Sequence, residues 1–304
     1  MSFPTPHGDK LRALLDNAKL PTADQPRVEA AIETYDAWIN EMTALEGECD
    51  DLVEPLVEAL NRYKTAVDLD LVFDSPDDFL YRQKGQLKLD NTVIEEFLPW
   101  LVGRVFADRI DGQNLILGPT NAFSHLRFES GILDGRPGTG MAVKSKDHDF
   151  VLARPLYLKS SHNSDYSQST EASTRLAYLA AEIKTNLDKT MFQEASATAR
   201  DLMLAVPNSK YFLLCEWLDM TPIGTSATAI EEVVVLRRAK RLAADVRRDF
   251  STARGRKANR AVLQEHLAQY PLAASLFRRF LDHVDRMLGD AQRSEQEVLS
   301  IGWF

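Results

Sequence analysis

Glu182 and Lys184 stand at alternate positions in the apolar stretch Leu179-Ala-Ala-Glu-Ile-Lys-Thr185, and a second apolar run, Phe150-Val-Leu-Ala153, begins at Asp149. Side chains two apart on a β-strand share one face. A strand at 179–185 therefore turns Glu182 and Lys184 together while Ala181 and Ile183 enter the core. The chain must build a buried sheet from which an acid and a cation emerge side by side, over one reacting group.

Such a pair suits hydrolysis of a phosphodiester. Water has to be deprotonated beside a repelling anion, and a divalent cation held by hard carboxylate oxygens assists by acidifying water and neutralising charge. Asp149 and Glu182 are the expected ligands of a Mg2+ ion, with the backbone carbonyl of Ile183 as a third. Lys184 is expected to orient the water or help deprotonate it, and to stabilise charge in the transition state. The competing reading is plain: Glu-x-Lys is a common tripeptide, and on most strands it is a solvated face carrying a weak ion pair. Only its setting gives it weight.

That setting is a strand carrying Asp149, a polar loop over 160–173, a strand carrying Glu182, a helical segment over 188–205 and a strand over 211–218. In this order the segment resembles the core of the PD-(D/E)xK nucleases. Asp149 is preceded by Lys146-Asp147-His148 and lacks the proline of the family's name, so Asp147 competes for its role. Asp149 is preferred because it leads directly into the apolar strand. A closer resemblance rests on Ala181-Glu-Ile-Lys-Thr-Asn-Leu-Asp-Lys-Thr-Met-Phe-Gln-Glu-Ala195, with Lys146-Asp-His-Asp-Phe150 and Tyr157-Leu-Lys-Ser160. These stretches are similar to type II restriction endonucleases of the BbvCI type, which cut an asymmetric DNA sequence with two different or modified subunits.

The resemblance implies an α/β fold: a PD-(D/E)xK nuclease-like core with a mixed central sheet flanked by helices, plus N-terminal and C-terminal helical segments. It assigns the catalytic places to Asp149, Glu182 and Lys184, and makes Gln193 on the following helix a possible accessory group beside Asp147. It also implies magnesium-dependent cleavage of double-stranded DNA at a specific sequence, leaving 5′-phosphate and 3′-hydroxyl ends. Because one such centre cuts one strand, a homodimer or a heterodimer with a second nuclease subunit is expected. Two alternatives keep part of this picture: a repair or recombination nuclease that reads DNA structure, and a non-catalytic DNA-binding subunit.

Charge at first argues against a polyanionic partner, since the 304-residue chain carries a formal −9. Its distribution argues the other way. Ten basic residues between Arg237 and Arg260 face only Asp245 and Asp249, which leaves this stretch at +8 and the remainder at −17. One positive surface on an otherwise acidic protein suits DNA contact, although pairing with the acidic N-terminal part is nearly as good an account. The candidate DNA-binding residues are Arg237, Arg238, Arg241 and Arg248 here, and Arg127, Arg136 and Lys144 near the expected cleft.

A hydrophobic fraction of 44% is enough for a substantial core. Cys49 and Cys215 have no zinc-ligand spacing, the N-terminus lacks a secretory pattern, and no apolar run reaches the roughly 20 residues of a membrane span. A cytoplasmic protein without membrane attachment is expected.

Along the chain, Val28, Ala31, Ile32, Tyr35, Ile39 and Met42 recur at helical spacing, and Leu52, Leu56, Leu60 and Tyr63 mark a second helix. Ser75-Pro-Asp-Asp78 breaks the pattern before a helix-like stretch over 92–106. Short strands follow at 115–117 and 123–128. The glycine-rich run Gly131–Gly140 is expected to be a mobile turn, and the serine-rich loop 160–170 a disordered one. An edge strand at 230–236, a basic helix beginning at 237 and an apolar helical stripe over 272–288 complete the reading. Three regions result: helical 1–90, catalytic 91–236 and basic helical 237–304.

Overall fold

Proline near the first turn and apolar residues at helical spacing build the N-terminal helices. The computed structural model describes residues 3–47, 49–133, 138–289, 296, 299, 300 and 302. Helix α1 (Pro6–Leu15) packs on α2 (Gln25–Ala44), which packs on α3 (Val53–Ala66). α3 runs on into a π-helical segment, Val67–Phe73. The short α4 (Phe79–Gln83) follows, then α5 (Thr92–Val105) and the single turn α6 (Ala107–Ile110). α5 is buried along nearly its whole length, including Glu95 and Glu96. Glu96 is explained by packing: its Oε2 accepts the backbone N–H groups of His7 and Gly8 at 2.8 and 3.2 Å, and its Oε1 accepts the Tyr35 hydroxyl at 2.6 Å. It satisfies orphan amides at the start of α1.

Five strands form one sheet in the order β1-β2-β3-β4-β5. β2 (Met141–Ser160) runs antiparallel to both its neighbours, β1 (Ile116–Phe128) and β3 (Thr170–Leu187), whereas β3, β4 (Lys210–Leu218) and β5 (Glu232–Lys240) run parallel. The sheet is therefore mixed, and α7 (Lys189–Ala205) makes the crossover from β3 to β4. Strand parity divides the core. Phe150, Leu179, Ala181, Ile183, Phe212 and Leu214 face the N-terminal helices and the C-terminal helix, while Val151, Ala180, Leu213 and Cys215 face α7.

The structure corrects three local expectations. The two short strands at 115–117 and 123–128 are one strand, β1, whose ladder slips between Gly118 and Thr120 and again between Phe123 and His125. Those irregularities account for the imperfect alternation. The loop expected to be disordered is a tight connection over 161–169, held by Asp165 Oδ1 accepting from Ser167 N at 2.9 Å and by Asn163 bonding to Ser167. Its end meets the connection between β1 and β2: Thr139 Oγ1 lies 2.7 Å from Ser160 Oγ. A Cβ on Gly138, whose φ is +72°, would meet Thr170.

The third correction concerns the basic helix. Arg237, Arg238 and Lys240 lie in β5, because the apolar run Val233–Val235 pairs with β4 and, after an irregularity over 236–238, the ladder resumes at Ala239 and Lys240. Arg241 lies in the connection after β5, and the remaining basic residues lie on α8 (Ala244–Arg248), α9 (Ala253–Ala258) and α10 (Arg260–Gln269). The apolar stripe near the C-terminus forms α11 (Ala274–Gly289), which buries Phe277, Phe280, Leu281 and Val284 against the sheet. Among the described residues no helix is long and apolar enough to cross a membrane.

Candidate active site

β2 and β3 are paired as far as Phe150 and Ala181 and then separate, while β3 stays paired with β4 to Leu187. One further step of that register would set Asp149 opposite Glu182. In place of a ladder bond, Asp149 Oδ2 accepts the N–H of Ile183 at 2.8 Å. On its other edge β2 is bulged: Val151 pairs with Gly118 and His148 with Thr120, so Asp149 and Phe150 together oppose the single Pro119. A bulge re-aims the side chains around it. Here it turns Asp149 toward β3 and presents Lys146 and His148 to α7 and β4, where Lys146 Nζ donates to Thr198 Oγ1 at 2.7 Å and the His148 ring meets Tyr211 edge-on at 6.2 Å.

Glu182 and Lys184 share a face, as alternation requires, with Lys184 Nζ 2.7 Å from Glu182 Oε1. Both are partly open to solvent, at 21% and 29% side-chain exposure. The second oxygen of Glu182 is held as well, because the Tyr211 hydroxyl donates to Oε2 at 2.6 Å. Ile183 between them is buried in the opposite core.

Charge at this site is unevenly compensated. Burial raises the pKa of Asp149, and the charge of Glu182 adds to the rise; the Ile183 amide, Lys88 and Lys184 oppose it. Burial works against the ammonium of Lys184, yet its bond to Glu182 and the charges of Glu182, Asp149 and Glu194 outweigh that, so its pKa is raised and it stays a cation. Burial, with the charge of Lys146 adding to it, pulls His148 down to about 4 against the opposing charges of Glu182 and Asp147. Two carboxylates against one ammonium leave an excess of negative charge facing solvent, and their donors are hard oxygens. Those features fit a divalent cation such as Mg2+, which keeps several of its waters and needs only one or two protein carboxylates. Among the described residues no three acids, histidines or cysteines stand close enough to hold a metal by themselves. A backbone carbonyl such as that of Ile183 would have to contribute.

The remaining candidates are scattered. Asp147 is exposed, opposite Asn121 on the β1 side of the bulge. Gln193 is exposed on α7, and Glu194 is the α7 residue whose charge reaches Lys184. Arg127 is half-exposed and paired with Glu129 at 2.6 Å, and Lys144 is exposed on β2. Arg136 lies outside the described residues. Arg238 and Arg248 are exposed, and Arg241 pairs with Asp219 at 3.2 Å.

Arg237 drops out of the DNA-facing set. It is 2% exposed, its Nε donates to Glu216 Oε2 at 2.9 Å, and a second nitrogen donates to Tyr270 O at 2.9 Å. Arg256 is likewise buried, bonding to Phe73 O, Ser75 O, Asp77 O and Asp78, and Arg260 bridges Asp74 and Asp70. Part of the basic segment thus neutralises the acidic stretch that follows α3.

Sequence reasoning missed Tyr211, Glu95 and Lys88. Glu95 comes from α5, accepts Asn91 Nδ2 at 2.9 Å and is buried; burial first, then the charge of Asp149, raises its pKa to about 7, against Lys88, Lys10 and Lys184. Its signal was two adjacent acids in an otherwise apolar helix. Lys88 has a left-handed backbone, φ +53°, which a sequence does not advertise in lysine.

The sequence model of the Bpu10I restriction endonuclease family matches residues 86–304. No curated protein matches the chain. Among solved structures, a chain of the native BbvCI A2B2 tetramer at low resolution is similar in fold, with a TM-score of 0.56 and 18% identity over 96% of this chain and 100% of that one.

Proposed function

The chain belongs to the Bpu10I restriction endonuclease family and is a type II restriction endonuclease, and on that footing we propose that it hydrolyses double-stranded DNA with Mg2+ at a centre formed by Asp149, Glu182 and Lys184. The observation that carries the assignment is the tether from Asp149 to the amide of Ile183, the residue between Glu182 and Lys184. It joins the acid of one strand to the acid and cation of the next at the point where the strands part.

In this reading Asp149, Glu182 and the carbonyl of Ile183 would hold the cation. When bound, Mg2+ would acidify water and neutralise charge on the phosphate. Lys184, kept charged by Glu182, orients the attacking water and stabilises the negative charge that builds on the phosphate oxygens. Glu95 adds negative potential from α5, and Asp147 and Gln193 keep at most an accessory place. The exposed cations Arg127, Lys144, Arg238 and Arg248, with the half-buried Arg241, contact DNA phosphates. Residues 91–236, with the end of β5 to Lys240, form the catalytic core, and the helices of 1–90 and of the rest of 237–304 surround it.

One centre cuts one strand, so the active assembly contains a second. The BbvCI protein similar in fold is an A2B2 tetramer, which favours a partner nuclease subunit for this chain. The test is digestion of a defined plasmid with Mg2+, with and without a candidate partner subunit, followed by end mapping. Discrete fragments with 5′-phosphate ends are expected. Random nicking would transfer the chain to repair or recombination, and intact plasmid under all conditions would leave a DNA-binding subunit.

A further inference from the structure

We propose that Tyr211 is a positioning residue for cation binding: its hydroxyl fixes the carboxylate of Glu182 in the orientation that receives the metal. The inference rests on the reading of Glu182 as a metal ligand. Tyr211 is the second paired residue of β4, opposite Ala180 of β3, and is 2% exposed. Its ring is fixed in the core under α7 by His148. From there its hydroxyl reaches Glu182 Oε2 at 2.6 Å, the length of a hydroxyl bonded to an ionised carboxylate.

The second contact on Glu182 makes the arrangement specific. Lys184 holds Oε1 from one side and Tyr211 holds Oε2 from the other. A carboxylate offers about four acceptor positions. With one taken on each oxygen, one on each remains, and the side chain no longer rotates freely. A free glutamate would lose that rotational freedom only when the ion binds, and the affinity would fall accordingly. Outer partners of metal ligands act in this way, and their loss typically weakens metal affinity 10–100-fold. Thr198 of α7, whose Oγ1 donates to Glu194 O at 3.1 Å and accepts from Lys146 Nζ at 2.7 Å, lies near the same hydroxyl.

The test is Mn2+ binding to the DNA-free protein, followed by the electron paramagnetic resonance of free Mn2+. Tyr211→Phe keeps the ring and removes the hydroxyl; we expect about tenfold weaker Mn2+ binding, an unfolding temperature in EDTA close to the parent's, and an unchanged KM for DNA. Raising the metal concentration should restore kcat. Glu182→Gln is the reference, expected to abolish the tight binding. Unchanged Mn2+ affinity in Tyr211→Phe while Glu182→Gln loses it overturns the role of Tyr211 alone, as does a kcat deficit that saturating metal does not restore. Unchanged affinity in Glu182→Gln overturns the metal reading itself, and this inference with it. Should Tyr211→Phe fail to fold, Thr198→Val tests the same line; a severalfold weaker affinity supports it and an unchanged one overturns it.

Discussion

Two charged clusters sit on neighbouring strands and have opposite characters. On one face, Lys64 of α3 lies 2.6 and 2.7 Å from the oxygens of Asp68 and 3.0 Å from Glu216 of β4, and Glu216 binds Arg237 of β5 at 2.9 Å. Two acids meet two cations, and the side chains of Lys64, Glu216 and Arg237 are each 1% exposed. Arg237 also lies over the ring of Trp217, 4.9 Å from its centroid. On β3 and the bulge of β2, two acids meet one cation, and the pair Glu182 and Lys184 stays open to solvent. The closed cluster has no charge left for a ligand and no path for one to enter. The open cluster has both. Buried, balanced charge thus holds the fold together here, and uncompensated charge with access marks the proposed site.

Removing one group from each cluster should give opposite phenotypes. Lys184→Ala should lower single-turnover DNA cleavage by about 10^3-fold, the scale of losing a transition-state charge partner, while chemical unfolding stays near the parent's. Retained cleavage would remove Lys184 from the mechanism. Glu216→Ala should do the reverse: it leaves Lys64 and Arg237 buried with only Asp68 and destabilises the fold by about 3–5 kcal/mol. Denaturant titration reads that loss, and cleavage per folded molecule should be unaffected.

Proton linkage separates the regions further. The folded pKa of Glu95 is raised from 4.5 to about 7, so the folded state holds its proton more tightly and the parent loses stability as pH rises through that window. Glu95→Gln lacks this penalty and should be more stable than the parent at pH 8 in EDTA, by on the order of 1–3 kcal/mol, with the difference shrinking toward pH 4. Equal stabilities at both pH values would mean that neither burial nor the charge of Asp149 raises the pKa of Glu95. The smallest effect is expected at the surface: Arg248→Ala should weaken DNA binding a few-fold and reduce the salt slope by about one. Arg237→Ala should change folding stability well before it changes that slope, because its donors are held inside the protein.

The helix-spaced N-terminal segment, the strand around Glu182 and the crossover helix after it were readable because each signal is local. A period of two or of about 3.6 is complete within a dozen residues. The preference for Asp149 over Asp147 came from the same source, the apolar run that begins at Phe150. The bulge that aims Asp149 at Ile183 left no trace of its own, because it arises from how β2 matches β1. Glu95 and Glu96 were indistinguishable as letters. One caps α1 and the other faces the site, and only the packing of α5 tells them apart. The expected basic helix failed because the apolar residues before Arg237 recruit it into a strand.

Alternation within an apolar stretch, a property of the backbone itself, determined that Glu182 and Lys184 emerge together from a buried sheet beside an acid that opens another strand. The tertiary structure decided which charges are available. Arg256 meets Asp78 and Arg260 meets Asp74 across most of the chain, and Arg237 is enclosed with Glu216. A sequence counts charges but does not contain their distances, and electrostatic energy depends on distance and burial.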